Sequence, residues 1–176
     1  MTARAKTSKS AKTAKRGKPA KRGKTAKPAR RRAAAKPRAQ FAALPYRVAE
    51  GVEILVITSR ETGRWVIPKG WPMKGRTPSE AAALEAIEEA GVTGEIAAKP
   101  LGSYPYVKYL KSGAGRPCKV KVFALRVTGQ AEDWPEKGQR ELRWLAWSEA
   151  AAAVQELRLG RLIRRFGKKA ARGWTG

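Results

Sequence analysis

Three glutamates, Glu85, Glu88 and Glu89, stand at i, i+3 and i+4 in a segment rich in alanine and glutamate. On a helix, at about 100° per residue, that spacing gathers them within one arc of about 100°. Like charges so placed repel one another, and a surface helix gains nothing by clustering them. A hard divalent cation relieves the repulsion, because Mg2+ and Mn2+ favour carboxylate oxygens and complete their shells with water or substrate phosphates. That is a physical reason to place a metal here. The competing reading is a solvated acidic face, and three glutamates on a helix taken alone favour it.

The segment before the glutamates shifts that balance. A loop, Lys69-Gly70-Trp71-Pro72-Met73-Lys74-Gly75-Arg76, leads into strong helix-start signals. Thr77 suits the N-cap, Pro78 the first helical position, and Glu80 completes a capping box with Thr77. Gly91 suits the C-terminal stop. Leu84 and Ile87 point roughly opposite the carboxylates and are expected to anchor the helix on a core.

From Gly70 to Val92 the chain reads Gly70, five residues, Arg76, seven residues, then Leu84-Glu85-Ala86-Ile87-Glu88-Glu89-Ala90-Gly91-Val92. This resembles the Nudix box, G-x5-E-x7-R-E-U-x-E-E-x-G-U with U a bulky aliphatic residue. Both glycines, the three downstream glutamates and the closing aliphatic residue match in place. Arg76 stands where the box has its first Glu, Leu84 where it has Arg, and Ala86 is smaller than the usual residue. In the family the first two commonly form an ion pair, and here both partners are changed together. Beyond the box, Thr58-Ser59-Arg60, Arg64 to Pro68, Glu132-Asp133-Trp134 and Gln139-Arg140-Glu141 look like the diphosphoinositol polyphosphate phosphohydrolase branch, a likeness covering roughly residues 45–166. Pro68-Lys69-Gly70 is instead similar to diadenosine polyphosphate hydrolases.

The resemblance implies a Nudix-type α/β/α sandwich with a mixed sheet, and a divalent-metal-dependent hydrolase that cleaves a phosphoanhydride. The substrate would be nucleoside diphosphate-linked, a dinucleoside polyphosphate or a diphosphoinositol compound. The cofactor would be Mg2+ or Mn2+, held by Glu85, Glu88 and Glu89, with Glu85 or Glu89 as the base. Arg60, Lys69 and Gly70 are the expected phosphate-binding residues. Arg60 matches a phosphate-binding arginine of the diphosphoinositol branch, and Lys69 flanks the strand that delivers the chain into the box. Arg47, Lys119 and Arg140 are lesser cation candidates against a reading as surface charge. Trp71, in the loop, is a candidate stacking platform, whereas Trp65 reads as core. Glu141 is a further candidate base or ligand, set against a surface residue beside a strand.

The remaining elements must position these groups. Val52 to Thr58 reads as a buried strand and Arg64 to Pro68 as a short second one. Residues 101–110 and 118–127 read as two strands joined by Ser112-Gly113-Ala114-Gly115. Gln130 to Arg140 reads as a polar loop and Leu142 to Trp147 as a last strand. Ser148 is the expected cap of a second helix, followed by the basic amphipathic stretch LRLGRLIRRF. Strands mixed with two or three helices make an α/β sandwich.

Charge separates this folded part, expected over residues 41–167, from its flanks. The chain carries +25, of which residues 1–38 hold +16 and residues 157–176 hold +7, both without an acid. Residues 1–38 have no apolar periodicity and are expected to be a disordered tail. The tail reads as solvated charge, as a non-specific nucleic-acid arm or, more weakly, as a transit peptide; residues 168–176 read as a basic extension. A nucleic-acid-associated protein working through the tail, or an RNA 5′-end pyrophosphohydrolase, are the alternative functions. There is no histidine, which excludes Ser-His-Asp catalysis and imidazole zinc sites. The single cysteine, Cys118, reads as a small buried apolar residue and permits no intramolecular disulfide. No apolar run is long enough to span a bilayer, so no membrane partner is expected, and the expected location is cytoplasmic.

Overall fold

The computed structural model describes residues 36–110 and 112–173. The expected tail lies outside the described residues as far as residue 35. The described residues form a mixed sheet with three helices.

The sheet is organised by two long strands, β1 (Arg38–Val48) and β7 (Gly115–Gln130), which pair in parallel from Arg38↔Cys118 to Tyr46↔Arg126. All other pairings are antiparallel. β1 joins β2 (Val52–Thr58), which carries β3 (Trp65–Val66) and β8 (Leu142–Ala146). β7 carries β5 (Val92–Ile96) and β6 (Gly102–Tyr109). A two-residue strand, β4 (Lys69–Gly70), pairs with Phe41 and Ala42 of β1.

Two strands are absent from the sequence reading, and Lys69-Gly70 is a strand rather than loop. β1 is one of the missed strands, and it moves the start of the fold from Phe41 back to Arg38. Its sequence, RAQFAALPYRV, is rich in alanine and contains a proline, so propensity argues weakly for a strand. The pairing partner imposes it. β7 offers an edge along nine residues of β1, and burial of Phe41, Leu44 and Tyr46 offsets the cost of ordering. Pro45, which lacks an N–H, falls between the β4 and β2 pairings on the other flank. β5 was hidden because it comes immediately after Gly91.

Helix α1 (Pro78–Ala90) carries the capping box foreseen for it: Glu80 N–H donates to Thr77 Oγ1 at 3.3 Å and Thr77 N–H to Glu80 Oε2 at 2.9 Å. Its anchoring face differs from expectation. Leu84 and Ile87 are only half-buried, and the buried positions are Ala81, Ala82, Ala86, Ala90 and Glu89. Side chains this small let the helix axis lie close to the sheet, which is why alanine replaces leucine as the anchor.

Helix α2 (Trp147–Ala153) starts two residues earlier than expected. Ala146 is its N-cap with no side-chain hydrogen bond, and Ser148 lies inside the helix. Trp147 is drawn into the first turn because its ring packs on Gly167, where a Cβ would meet it at 2.3 Å. Gly167 belongs to α3 (Leu157–Ala170), whose apolar side (Leu159, Ile163, Phe166, Ala170) is buried while its cations are exposed. The helix therefore runs past residue 167 into the segment read as an extension. Cys118 is buried, as expected.

Candidate active site

At about 100° per residue, Glu89 falls in the middle of the buried alanine arc of α1, with Glu85 toward its edge and Glu88 outside it. Accordingly Glu89 is 7 % exposed, Glu85 half-buried and Glu88 exposed. The shared arc expected from the spacing is real, but it spans three different environments.

Glu85 lies against β4. A Cβ built on Gly70 would stand 1.7 Å from Glu85 Oε1, so only glycine leaves the carboxyl its place. Burial, and then the charges of Glu89, Glu88 and Glu136, push the Glu85 carboxyl up to about 7. Glu89 is held at both oxygens: Oε2 accepts from the Lys69 backbone N–H at 2.9 Å, and Oε1 from the Arg140 guanidinium. Burial pushes its carboxyl up, opposed by Lys69 and Arg140. The Lys69 ammonium is itself buried, which pushes it down against the pull of Glu89, and its Nζ stands 4.7 Å over the Tyr106 ring.

Arg140, 5 % exposed at its side chain, joins the parts. Besides Glu89 it donates through Nη1 to the Thr58 carbonyl and through Nε to Glu136 Oε2, each at 2.9 Å. Arg60 Nη1 donates to the other Glu136 oxygen at 3.0 Å and to Gln139 Oε1 at 3.3 Å. The loop carrying Glu136 is docked on the end of α1: Glu136 N–H donates to the Glu88 carbonyl at 3.1 Å, and Trp134 packs on Gly91, whose φ of 69° ends the helix. Beside Glu89 a recess opens, lined by four cations (Arg60, Lys69, Lys108, Arg140), two acids (Glu61, Glu89), Gln40, Ser59 and Tyr106.

Of the residues singled out in the sequence, Glu85, Glu89, Arg60, Lys69 and Gly70 come together here. Arg47, Glu141, Trp71 and Lys119 do not line the recess. Arg47 pairs with Glu53 across the β1–β2 register at 2.6 Å and lies over Trp144. Glu141 is exposed and paired with Arg143 at 2.5 Å. Trp71 is half-buried, with Arg38 4.5 Å and Lys108 5.2 Å from the centre of its ring. Lys119 is exposed on β7. Arg140, weighed in the sequence as surface charge, is instead at the centre. Glu136, Lys108 and Gln40 were missed. The first sits in a polar loop that gives no sign of where it docks, and the second is one of many lysines. Gln40 left a faint signal, a lone amide inside an apolar run. Arg76 is exposed and Leu84 half-buried, so the ion pair usual at those two positions has no counterpart.

The donor set suits a hard cation in kind. Glu85 is crowded by three other carboxylates, and Gly70 cradles it. The arrangement is nevertheless open: among the described residues no three His, Cys, Asp or Glu side chains are gathered at metal-holding distance. Glu89 turns to Lys69 and Arg140 because its helix face is buried, and Glu88 faces solvent.

A family profile described as the NUDIX domain matches residues 36–166. Among curated proteins the chain is similar to "Nudix hydrolase 12, mitochondrial" of Arabidopsis thaliana, 41% identical over 102 residues, covering 56% of this chain and 50% of that protein. It is also similar to diphosphoinositol polyphosphate phosphohydrolase 3-alpha of Mus musculus, 31% identical over 117 residues, covering 65% and 67%. The chain spans about half the length of the first of these relatives. Among solved structures, a C. elegans Ap4A hydrolase in a binary complex shares the fold at a TM-score of 0.56 and 22% identity, over 76% of this chain and 97% of that one. The expected cytoplasmic location is overturned: four Arabidopsis relatives, 32 to 41% identical, bear mitochondrial in their names. Among the described residues no helix is long and apolar enough to cross a membrane.

Proposed function

The chain belongs to the Nudix family, and from that premise we propose that it is a divalent-metal-dependent hydrolase of a phosphoanhydride. The observation that supports this most directly is the recess where Glu89 and four cations meet, one strand residue away from the Gly70–Glu85 contact. Arg60, Lys69, Lys108 and Arg140 neutralise and orient a polyphosphate chain. Glu85 and Glu88, with Glu136 beside them and Glu89 at the recess wall, are the residues that would hold Mg2+ or Mn2+. Such an ion supplies charge neutralisation at the phosphoryl oxygens when bound. Glu85 or Glu89 accepts the proton of the attacking water. The water oxygen bonds to phosphorus, the bridging P–O bond breaks, and the leaving phosphate departs with the electron pair. Lys69 and Arg140 hold the Glu89 carboxylate facing the recess, so the geometry does not have to be found at the moment of reaction.

The candidate substrates are a dinucleoside polyphosphate, a nucleoside diphosphate-linked compound or a diphosphoinositol polyphosphate, the last being in the name of a relative 31% identical. A panel of these with Mg2+ and with Mn2+, alongside 5′-triphosphate RNA, identifies it. In that assay Glu85→Gln should lose at least about 100-fold in kcat with its circular dichroism unchanged. Wild-type rates from Glu85→Gln at saturating metal, or no metal-dependent hydrolysis of any substrate, would reject the assignment.

A nucleic-acid-binding contribution is favoured by one further observation. The exposed side of α3 presents Arg158, Arg161, Arg164, Arg165 and Lys168 with no acid among them. That side of the helix offers phosphate backbones a cationic surface, and residues 1–38 carry a further +16.

A further inference from the structure

Gln40 sits on β1, two residues before the strand pairs with Lys69 of β4. It is 1 % exposed, and neither Nε2 nor Oε1 has a hydrogen-bond partner. A buried primary amide with nothing bonded at either end is destabilising, since each unmet polar atom forfeits its hydration. Leucine or methionine would fill the same volume without that cost. Gln40 is nevertheless one of the residues that line the recess, with Arg60, Lys69, Lys108 and Arg140.

The chemistry of the amide narrows what it meets. The four cations supply only donors, which is what a polyphosphate needs. Gln40 adds two donors and one acceptor. A phosphate oxygen at neutral pH only accepts, so against phosphate the Oε1 of Gln40 would stay unmet. A hydroxyl both donates and accepts, and it answers both ends of the amide. The geometry points to Gln40 as a specificity-determining residue that reads a hydroxyl on the sugar or polyol carried next to the phosphoanhydride, while the cations take the phosphates. This rests on the hydrolase reading of the recess and adds to it a residue that discriminates the group attached to the phosphate chain.

A neighbouring residue provides the control. Gln40 and Tyr104 both register with Val120, one from β1 and one from β6, and so lie on the same face of the sheet on either side of it. The Tyr104 hydroxyl is also buried and without a partner, but Tyr104 is not among the residues lining the recess.

The test is calorimetric titration of the full chain in EDTA with two probes: ADP-ribose, which carries hydroxyls beside its diphosphate, and inorganic tripolyphosphate, which carries none. Gln40→Leu should weaken ADP-ribose roughly tenfold and change tripolyphosphate by less than about twofold. Its melting temperature should not fall, because the substitution removes unmet polar atoms from the interior. Tyr104→Phe should leave both affinities unchanged. Equal weakening of both probes by Gln40→Leu, or no change in either, would overturn the inference, as would a fall in melting temperature that matches the loss of binding. Metal-dependent turnover of the wild type is followed in parallel. Turnover with an indifferent Gln40→Leu sinks the Gln40 assignment alone, whereas a wild type that binds neither probe and hydrolyses nothing sinks the hydrolase reading with it.

Discussion

Replacing Arg140 by methionine removes a charge from the middle of the site while keeping most of its length. Arg140 reaches Glu89, Glu136 and the Thr58 carbonyl at once, and it is almost fully enclosed. Without it, Glu89 keeps only the Lys69 N–H and the nearby ammonium to offset burial. Removing one partner of a buried pair costs about 3–5 kcal/mol, and the remaining Lys69 sets the expectation at the lower end, about 3 kcal/mol. For a domain of this size each kcal/mol moves the melting temperature by about 2–4 °C, so a fall of about 6–12 °C is expected. Differential scanning calorimetry or urea unfolding of Arg140→Met reads it. Adding Glu89→Gln removes the orphaned charge and should restore about half of the loss. A single-mutant loss below about 1 kcal/mol, the range of exposed ion pairs, or no relief from the second substitution, would refute the claim that this pair organises the recess.

Gly70→Ala should shift Glu85, because the added methyl would occupy the place of its carboxyl. A loss of about 100-fold in kcat/KM, with the fold kept, is expected from a displacement of that order, and steady-state kinetics beside circular dichroism checks it. Deleting residues 1–34, which spares β1, should leave turnover of small substrates unchanged and cut the salt dependence of nucleic-acid affinity by about half or more. An unaltered slope of log Kd against log salt would assign that affinity elsewhere, α3 first.

The helix was legible because its signals are local: Thr77, Glu80 and Gly91 define their own neighbourhood within a few residues, and the glutamate spacing follows from helical geometry alone. The alternating strands of β6 and β7 were legible for the same reason. What escaped depends on pairing across distance. β1 is a strand only because β7 lies beside it, far along the chain. Glu89 and Arg140 are 51 residues apart, and no periodicity announces that one will clamp the other. Glu141 and Arg47 misled for a complementary reason. Each has an oppositely charged neighbour, Arg143 two residues on and Glu53 across the turn, that holds it away from the recess. Leu84 and Ile87 were the natural anchors by hydropathy, but the space beneath the helix is sized for alanine.

That alanine face has a practical bearing on any attempt to improve the protein. Ala81, Ala82, Ala86 and Ala90 are wholly enclosed, so a larger side chain at any of them lifts the helix off its seat and carries Glu85 away from Gly70. Directed evolution aimed at heat tolerance and screening aimed at turnover should therefore reject the same changes at these four positions, although none of the four alanines lines the recess. A library built on this scaffold gains most by holding them fixed and placing its diversity at exposed positions away from the recess, such as Lys119 and Lys121.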